Sequence, residues 1–522
     1  MMTYFRKLLT GALGLGAACL IAGGNQVLAQ TWTELLPTGG PPDGRSSATA
    51  VYNSATNRMI VFGGANSGQF VAVPPSIALR NDVWVLTHAD GRGGTPVWTQ
   101  TDSGTGPSKR GWHTAVYDQA HNRMIVFGGN PNFGYCYGTV NDLWVLTNAD
   151  GSEASTPQWL DLTPASGPTK RYLHIAFYDL GTNRMIMFGG ADACVEFSSE
   201  LWVLDNANGL DLGGAPAAPA WTQLVPTGTP PGANALRVGT YDPATNRLIV
   251  LGDGADADTL LNEVWVLENA NGFDIVTALP AAPNWVQLSP TGTPPDLYHA
   301  PSLVYDPVGN SMTAFGGRST SGSGGIQTVN NVWVLSNANG LGGTPDWTQL
   351  SPTGGPPIER FDHTAVHIPG TGRMTVFGGL GCIDPLGCDP FTNAGSQAGT
   401  YNDVWTLEIP RQGTDHFLCY DVKVAEGEPK LAPFEVDLSD QFGETAKIVK
   451  KTNLVCNPVD KNGEGVLNPE VHLTCYVVKD AEGEPEFERR LVSVDNQFGE
   501  DQMLEVKKPK ILCVPSSKEV IE

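Results

Sequence analysis

Short apolar runs recur along most of this chain, and polar turn residues separate them. In one representative stretch the runs are Thr114 to Tyr117, Met124 to Phe127, Leu143 to Leu146 and Trp159 to Leu162. They are rich in β-branched, aromatic and aliphatic residues, which is typical of strands. Asp and Asn follow the first run, and an Asn-Ala-Asp-Gly turn follows the third, so tight hairpins are predicted. The pattern therefore predicts antiparallel meanders of four strands and an all-β fold.

The meander recurs six times. Its landmark is a pair of glycines, replaced once by Gly-Asp, and the steps between copies are 65, 61, 63, 64 and 62 residues. The pairs are Gly63-Gly64, Gly128-Gly129, Gly189-Gly190, Gly252-Asp253, Gly316-Gly317 and Gly378-Gly379. Because so short a unit cannot bury its own apolar face, six copies predict a closed or stacked array.

Two series of tryptophans accompany the glycine pairs. One series lies in the third run of each copy: Trp84, Trp144, Trp202, Trp265, Trp333 and Trp405. The other opens the fourth run: Trp32, Trp98, Trp159, Trp221, Trp285 and Trp347. With the glycine pairs, these positions resemble kelch repeats, and the resemblance covers residues 31 to about 410.

The kelch resemblance implies a six-bladed β-propeller, similar to the central domain of galactose oxidase, in which each copy forms one four-stranded blade. We expect the third-run indoles to fill space between blades and the glycine pair to let backbone pass close to the axis. The sixth copy lacks a fourth strand after Trp405. Residues 31 to 36 are therefore predicted to supply that strand and close the ring, which also removes an exposed sheet edge.

Residues 1–29 have the pattern of a secretory signal peptide, with Arg6 and Lys7 before an apolar run and Ala29 at the cleavage position. A secreted, periplasmic or cell-surface location is expected. Without these residues the charge is 29 − 54 = −25, since the segment carries two basic residues and no acidic ones. Such a chain repels nucleic acid. No later apolar run is long enough to span a membrane, and we expect a monomer.

After a propeller domain at residues 30–410, residues 411–522 form a second, duplicated region. The motif His416-Phe-Leu-Cys419 recurs as His472-Leu-Thr-Cys475, and the two copies span about residues 416–458 and 472–517. The region resembles a duplicated domain of unknown function that is appended to bacterial extracellular proteins. It is predicted to be β-rich.

Eight cysteines remain after removal of residues 1–29, and an oxidising compartment favours disulfides among them. In the propeller, Cys136 and Cys194 occupy equivalent loops of adjacent blades, and Cys382 and Cys388 share one loop. In the C-terminal region three connectivities are open, of which pairing within each copy is preferred. It would join Cys419 with Cys456 and Cys475 with Cys513, at spacings of 37 and 38 residues.

Candidate ligand-binding residues lie just before the first strand of each blade, where kelch propellers open onto one face beside the axis. Arginine or histidine recurs there, and aromatic residues accompany them. The predicted set is Arg45, Arg110, Trp112, His113, Arg171, Tyr172, His174, Arg237, Tyr298, Arg360, Phe361 and His363. Guanidinium groups bind carboxylates bidentately, so an anionic sugar or a peptide carboxylate is a suitable ligand. The alternative is structural: the arginines pair with carboxylates of an adjacent blade, and the histidines bond backbone.

Loops between the second and third strands are expected to crown the same face. One of them clusters Asp253, Asp256 and Asp258, which could bind Ca²⁺, although it lacks the full alternating ligand set and a closing Glu. A solvated acidic loop is the preferred interpretation, and no cofactor is predicted. The Asn-Ala-Asp/Asn-Gly turns are attributed to hairpin geometry alone.

The leading hypothesis is a secreted or surface-associated binding module that engages a protein or a glycan with one propeller face. The alternative is an extracellular carbohydrate-active enzyme, an oxidase, epimerase or lyase, that uses the same face. His113, His174, Tyr172 and Cys194 supply residue types found in copper-radical oxidases, but not their arrangement. No nucleophile motif, paired-carboxylate spacing or metal signature is present, and no catalytic residue is predicted.

Overall fold

The computed structural model describes most of the chain after residue 29. The described residues are 30–68, 76–101, 104–132, 138–192, 196–232, 238–252, 263–319, 327–369, 371–382, 398–409, 416–421, 433–440, 443–459, 472–482, 490–496, 499–506 and 511–516. They contain strands and turns and no helix. The chain divides into two compact units, of which one is Ala29–Arg411 and the other contains Gln412–Glu522.

The first unit contains six four-stranded antiparallel sheets, the blades. Blades 1 to 3 are β2(Thr49–Asn53), β3(Arg58–Phe62), β6(Val83–Thr87), β7(Val97–Thr101); β8(Thr114–Asp118), β9(Arg123–Phe127), β10(Leu143–Thr147), β11(Gln158–Asp161); and β12(Ile175–Asp179), β13(Arg184–Phe188), β16(Leu201–Asp205), β17(Ala220–Leu224). Blades 4 to 6 are β18(Val238–Asp242), β19(Arg247–Leu251), β20(Val264–Glu268), β21(Asn284–Leu288); β24(Ser302–Asp306), β25(Ser311–Phe315), β28(Val332–Ser336), β29(Asp346–Leu350); and β30(Thr364–Ile368), β31(Arg373–Phe377), β34(Val404–Glu408), β1(Thr31–Leu35). The predicted meanders are confirmed.

The blades form a closed ring. The first strands of neighbouring blades contact one another all the way round, including β2 of blade 1 with β30 of blade 6, so these strands surround the axis. Blade 6 takes its outer strand from the other end of the unit, because β1 pairs antiparallel with β34, from Thr31 opposite Glu408 to Leu35 opposite Val404. The predicted N-terminal closure is therefore confirmed.

Between blades, aromatic side chains form the core. Five of the six outer-strand indoles pack on a phenylalanine from the second strand of the preceding blade, and the sixth, Trp347, lies in a cluster with Leu251 of blade 4. Trp159 lies 5.1 Å from Phe62 and Trp221 lies 4.9 Å from Phe127, centroid to centroid. The third-strand indole Trp144 is less buried, and its Nε1 donates to Asp142. Both tryptophan series are thus structural, and the outer series is the more completely buried.

The propeller has two different ends. At the end that we call the front, each first strand begins and each second strand leads through its glycine pair into a loop. Short pairings join these two segments within a blade, for example Tyr172 with Ala191 and Phe361 with Leu380. Additional front-end strands are β4(Ala65–Gly68), β5(Ser76–Leu79), β14(Ala191–Asp192), β15(Glu196–Phe197), β23(Leu297–His299), β26(Arg318–Ser319), β27(Gln327–Thr328), β32(Leu380–Cys382) and β33(Ala398–Thr400), while β22(Thr291–Gly292) pairs with β29. The described segments between second and third strands therefore lie at the front end, as predicted.

The C-terminal unit contains one five-stranded sheet and a hairpin. Its strands are β35(His416–Asp421), β36(Phe434–Asp440), β37(Gly443–Val459), β38(His472–Asp480), β39(Arg490–Asn496), β40(Gly499–Val506) and β41(Ile511–Ser516). The sheet order is β35-β37-β38-β41 with β36 also paired to β37, and β39 pairs with β40. The two sequence copies are joined side by side, because β37 of the first pairs with β38 of the second.

Candidate axial binding site

The arginines at the front end are buried and already paired. Arg110 is fully buried, and its guanidinium donates to both oxygens of Asp142 at 2.6 and 2.8 Å and to the Gly128 carbonyl at 2.9 Å. The equivalent pairs are Arg45 with Asp82, Arg171 with Glu200, and Arg360 with Asp403. Each acid lies in the arginine's own blade, not in the adjacent blade as the structural alternative expected. These guanidinium groups therefore do not form an exposed anion-binding ring.

The same arginines connect neighbouring blades through their backbone. The Gly129 N–H of blade 2 donates to the Arg171 carbonyl of blade 3 at 2.9 Å, and Gly64 bonds Arg110 in the same way. Both residues of the Gly128-Gly129 pair are left-handed, with φ of 65° and 101°. The glycine pair is thus required by this backbone turn and by contact with the next blade, whereas close passage at the axis was the reason expected from sequence.

The arginine partners determine the pKa values of two of these carboxylates. On its own, burial would raise the pKa of Asp82, but hydrogen bonds and charge attraction from Arg45 outweigh it and hold that pKa below its ordinary value. Glu200 has a lowered pKa for the same reasons, with Arg171 as its partner. Both carboxylates are therefore stabilised in their charged form by the framework.

The front-end histidines form inter-blade hydrogen bonds. His113 Nε2 lies 2.8 Å from Thr49 Oγ1 of the preceding blade. The equivalent pairs are His174 with Thr114 and His363 with Ser302, both at 2.8 Å. Burial, reinforced by the neighbouring arginine charge, lowers the pKa of His174 and of His363 to about 3. These rings are neutral at physiological pH and cannot supply positive charge to a ligand.

A collar of left-handed residues surrounds the axis at the front end. Its members are Ser47, Trp112, Leu173, Ala300 and Asp362, from blades 1, 2, 3, 5 and 6, with φ between 46° and 57°. Successive members share backbone hydrogen bonds across blade boundaries, with each N–H donating to the carbonyl of the preceding blade's member at 2.9 to 3.2 Å for the pairs described. Left-handed backbone is unfavourable for bulky side chains and often occurs at binding sites. The collar is therefore the most unusual backbone of the front end.

The collar surrounds an axial pocket with a volume of about 210 Å³. All five collar residues border this pocket, and none of the front-end arginines described above does. The carboxylate and its neighbouring hydroxyl come from blades 6 and 1, whereas the largest apolar side chains come from blades 2 and 3. Unlike the framework around it, the pocket is chemically asymmetric.

Asp362 is the acidic group of the pocket. Ser47 Oγ donates to its Oδ2 at 3.3 Å. Burial raises the pKa of Asp362, and this rise is opposed by the proximity of the His299 ring, by hydrogen bonds from Ser47 and the Trp112 indole, and by the nearby Arg318 charge. Burial also lowers the pKa of His299. The pocket thus holds one carboxyl group among neutral imidazoles.

Aromatic residues support the collar from behind. The Tyr172 ring is buried and lies 5.7 Å from Trp112, centroid to centroid. Phe361 is fully buried, with the Arg318 guanidinium 5.5 Å from its ring centre. Of the other predicted residues, Arg237 lies outside the described residues, and so does the side chain of Tyr298.

Sequence reasoning therefore included some of this pocket and missed the rest. Trp112, His113, His174 and His363 border it, as predicted. Asp362, Ser47 and His299 were missed. The available signal was the variability of the position five residues before the repeated Tyr, where the repeat copies carry chemically different side chains. Ligand binding by the full predicted set stays a prediction.

The back end carries a belt of inter-blade hydrogen bonds. Asn208 in the turn of blade 3 donates to Asp118 in the hairpin of blade 2 at 2.7 Å, and Asn339 donates to Asp242 at 2.8 Å. Arg123 also donates to the Asn208 carbonyl at 2.7 Å. The recurring Asn and Asp of these turns therefore join blades as well as shaping hairpins, so hairpin geometry alone was an incomplete explanation.

Across the described residues no group of three or more His, Cys, Asp or Glu side chains could hold a metal ion, and the Asp253, Asp256 and Asp258 cluster lies outside them. No helix in the described part of the chain is long and apolar enough to cross a membrane. The predicted signal peptide also lies outside the described residues.

Disulfide pairing stays a prediction. Cys136, Cys194 and Cys388 lie outside the described residues, and of the other five only the backbone is described. In the C-terminal sheet the strand register sets Cys419 opposite Cys456 and Cys475 opposite Cys513. This register agrees with pairing within each copy.

The family model for the KLHDC2/KLHL20/DRC7 Kelch-repeats domain matches residues 26–150 and 74–272. The part of the chain from Thr31 to Glu408 is a six-bladed β-propeller, and its repeats are similar to kelch repeats. A propeller of this class indicates a protein-interaction module.

Individual relatives match over part of their length. Putative adagio-like protein 2 from Oryza sativa subsp. japonica is 30% identical over 269 residues, which is 50% of this chain and 37% of that protein. Multiple epidermal growth factor-like domains protein 8 from Rattus norvegicus is 27% identical over 316 residues, 55% of this chain and 9% of that protein. The chain thus spans well under half the length of these relatives.

Among solved structures, that of YjhT has a TM-score of 0.44 at 13% identity and covers 71% of this chain and 95% of its own. A fungal alcohol oxidase of the AA5 family in complex with copper has a TM-score of 0.38 at 14% identity, covering 92% of this chain and 100% of its own.

Proposed function

We propose that this protein is an extracellular binding module whose propeller engages a partner protein through the front end, centred on the axial pocket. The observation that carries the proposal is the collar. It is the place where the repeats stop being alike, because its side chains range from serine to tryptophan on one shared left-handed backbone. Repeated residues are explained by the framework, so varied residues around an axial opening are the best candidates for recognition.

The chemistry of the pocket favours recognition of one projecting group. Its volume of about 210 Å³ is below the roughly 300 Å³ of the smallest sites for drug-sized ligands. A single side chain of a partner fits this size, and the surrounding front-end loops can contact the rest of that partner. The half-exposed indole of Trp112 is the type of residue that contributes most at protein interfaces.

The test is selection of binders to the full-length protein from a displayed random-peptide library, with a glycan array screened in parallel. Binders are then measured against Trp112→Asn, because Asn tolerates the left-handed backbone at that position. The matched control is Val276→Asn on the back end, where the valine is 87% exposed.

We expect Trp112→Asn to weaken selected peptides about tenfold or more, as for an interfacial anchor, and Val276→Asn to leave their affinity unchanged. Binding that is lost in Val276→Asn and kept in Trp112→Asn would refute a front-end site. Binding to glycans alone, or turnover of a screened sugar, would replace a protein partner by a carbohydrate or by the enzyme alternative.

A further inference from the structure

Asp362 is the one acidic side chain among the described residues that border the axial pocket. Burial keeps the four histidines that border it, His113, His174, His299 and His363, in their neutral form by lowering their pKa values. The arginines of the collar region are turned away into their own blades, as Arg110 and Arg360 show. Asp362 is left as the acidic group that borders the cavity.

The surroundings of Asp362 do not satisfy it in the way that the framework satisfies its acids. Asp142 receives two guanidinium hydrogen bonds at 2.6 and 2.8 Å. Asp362 instead receives the Ser47 hydroxyl at 3.3 Å and interacts with the Trp112 indole, and Arg318 acts on it as a nearby charge. Arg318 does not border the cavity and lies over the Phe361 ring. A cation entering the pocket would therefore supply Asp362 with a direct charged partner.

The apolar part of the pocket lining suits the stem of such a cation. Trp112, Leu173 and Ile175 border the cavity from blades 2 and 3. Methylene groups pack on aliphatic walls, and an ammonium group is attracted to the face of an indole. A carboxyl group with an indole beside it and an aliphatic wall next to them match a positively charged head on an apolar stem.

The charge of the whole chain acts in the same direction. Its formal net charge is −23, so a positively charged partner is attracted over long range, while an anionic one is repelled. The anionic ligand expected from the arginines is disfavoured, because carboxylates inside the blades already pair with these arginines.

We infer that the axial pocket binds the ammonium-bearing side chain of a lysine presented by a partner protein, with Asp362 and the neighbouring Trp112 indole as its contacts. This inference depends on the proposed function, which it makes specific. The apolar wall contacts the lysine stem, and the carboxylate of Asp362 accepts hydrogen bonds from the ammonium.

The direct probe is Nα-acetyl-lysine methylamide, titrated into the full-length protein by ligand-observed NMR at millimolar concentration. Nα-acetyl-norleucine methylamide is the matched probe, because it keeps the stem and lacks the charge. The lysine derivative should bind the unaltered protein about tenfold more tightly, as expected for a charge-assisted hydrogen bond. Equal binding of the two probes, or no detectable binding of the lysine derivative, would overturn the inference without any variant.

Two variants locate the effect. Asp362→Asn keeps the shape and the left-handed backbone and should erase the tenfold preference for the lysine probe. Asp43→Asn removes an exposed front-end carboxylate that pairs with Arg80 and should leave the preference unchanged. A preference that survives in Asp362→Asn would also overturn the inference.

The peptide selection separates this inference from the proposed function. Selected peptides that depend on Trp112 but bind Asp362→Asn as well as the unaltered protein would leave the front-end site standing and remove the lysine. Peptides insensitive to Trp112→Asn would remove both.

Discussion

At the scale of single residues, the framework of this propeller uses charged groups inside each blade. Arg110 combines a bidentate pair with Asp142 and a bond to the Gly128 carbonyl, while its own carbonyl bonds Gly64 of the preceding blade. Such a residue is retained in four of the copies because it fills the same role in each. Its repetition is therefore a sign of structure.

Arg110→Ala should destabilise the protein by about 3 to 5 kcal/mol, because it leaves the Asp142 carboxylate without its partner. Arg92→Ala is the control, since the Arg92 pair with Glu408 is exposed and such pairs contribute about 1 kcal/mol or less. Denaturant unfolding of both variants measures the difference. Equal stability of the two would contradict the framework role of Arg110.

The buried histidines predict acid sensitivity. His174 and His363 have a pKa of about 3 in the folded protein against 6.5 for an unperturbed imidazole, because burial disfavours their charged form. Between these values the unfolded chain binds protons that the folded one does not. Stability is therefore complete above about pH 6.5 and falls as the pH decreases toward 3, by up to about 1.4 kcal/mol per pH unit for each histidine.

Thermal-unfolding midpoints at pH 6.5 and pH 5 test this, with the window chosen above the titration of carboxylates such as Asp82. The double variant His174→Gln with His363→Gln should show a smaller drop than the unaltered protein. His121→Gln, which removes an exposed histidine, should keep the full drop. An unchanged drop in the double variant would rule out these histidines as its source.

At the scale of elements, the glycine pair and the collar are the two places where backbone conformation connects blades. Gly128 and Gly151 have the same φ of 65°, but their surroundings differ. A Cβ on Gly128 would meet the Arg171 carbonyl oxygen at 2.8 Å, whereas nothing lies within 4 Å of one on Gly151. The requirement for glycine at the pair thus has a steric part in addition to the conformational one.

Gly128→Ala should therefore cost at least about 1 kcal/mol more than Gly151→Ala. Both variants carry the left-handed penalty of about 1 to 2 kcal/mol, and only the first adds an inter-blade clash. Urea denaturation of the two variants provides the comparison, and equal costs would show that blade contact adds nothing.

At the scale of the whole molecule, the ring is closed by residues from its two ends. β1 completes blade 6, and Trp32 on β1 is 2% exposed, with its ring 4.7 Å from Phe315 of blade 5. The same closure brings Ser47 of blade 1 beside Asp362 of blade 6. The axial pocket and the stability of the ring therefore depend on one topological feature.

Trp32→Ala should lower stability by about 3 to 5 kcal/mol, as for loss of a buried aromatic side chain. Leu36→Ala, four residues further on, should change it by no more than about 0.5 kcal/mol, because Leu36 is 75% exposed. Calorimetric unfolding of both variants measures the difference. Equal unfolding midpoints would contradict a role of the closing strand in stability.

Much of the fold was predictable because its signals are local and repeated. Apolar runs, turn residues and glycine pairs occur in every copy, so the strands of blade 2 lie within a residue of their predicted bounds at nearly every end. The candidate site was predictable only as a region. Whether Arg110 faces solvent or Asp142 depends on packing 32 residues away along the chain, which no local pattern expresses.

The sequence by itself determined the number of blades, their order of strands and the closing strand, because each follows from periodic local patterns. Only the tertiary structure decided which side chains meet at the axis. Ser47 and Asp362 are separated by 315 residues and become neighbours when the ring closes. The blades share one geometry, which places chemically different residues on one collar. These residues together form the axial pocket.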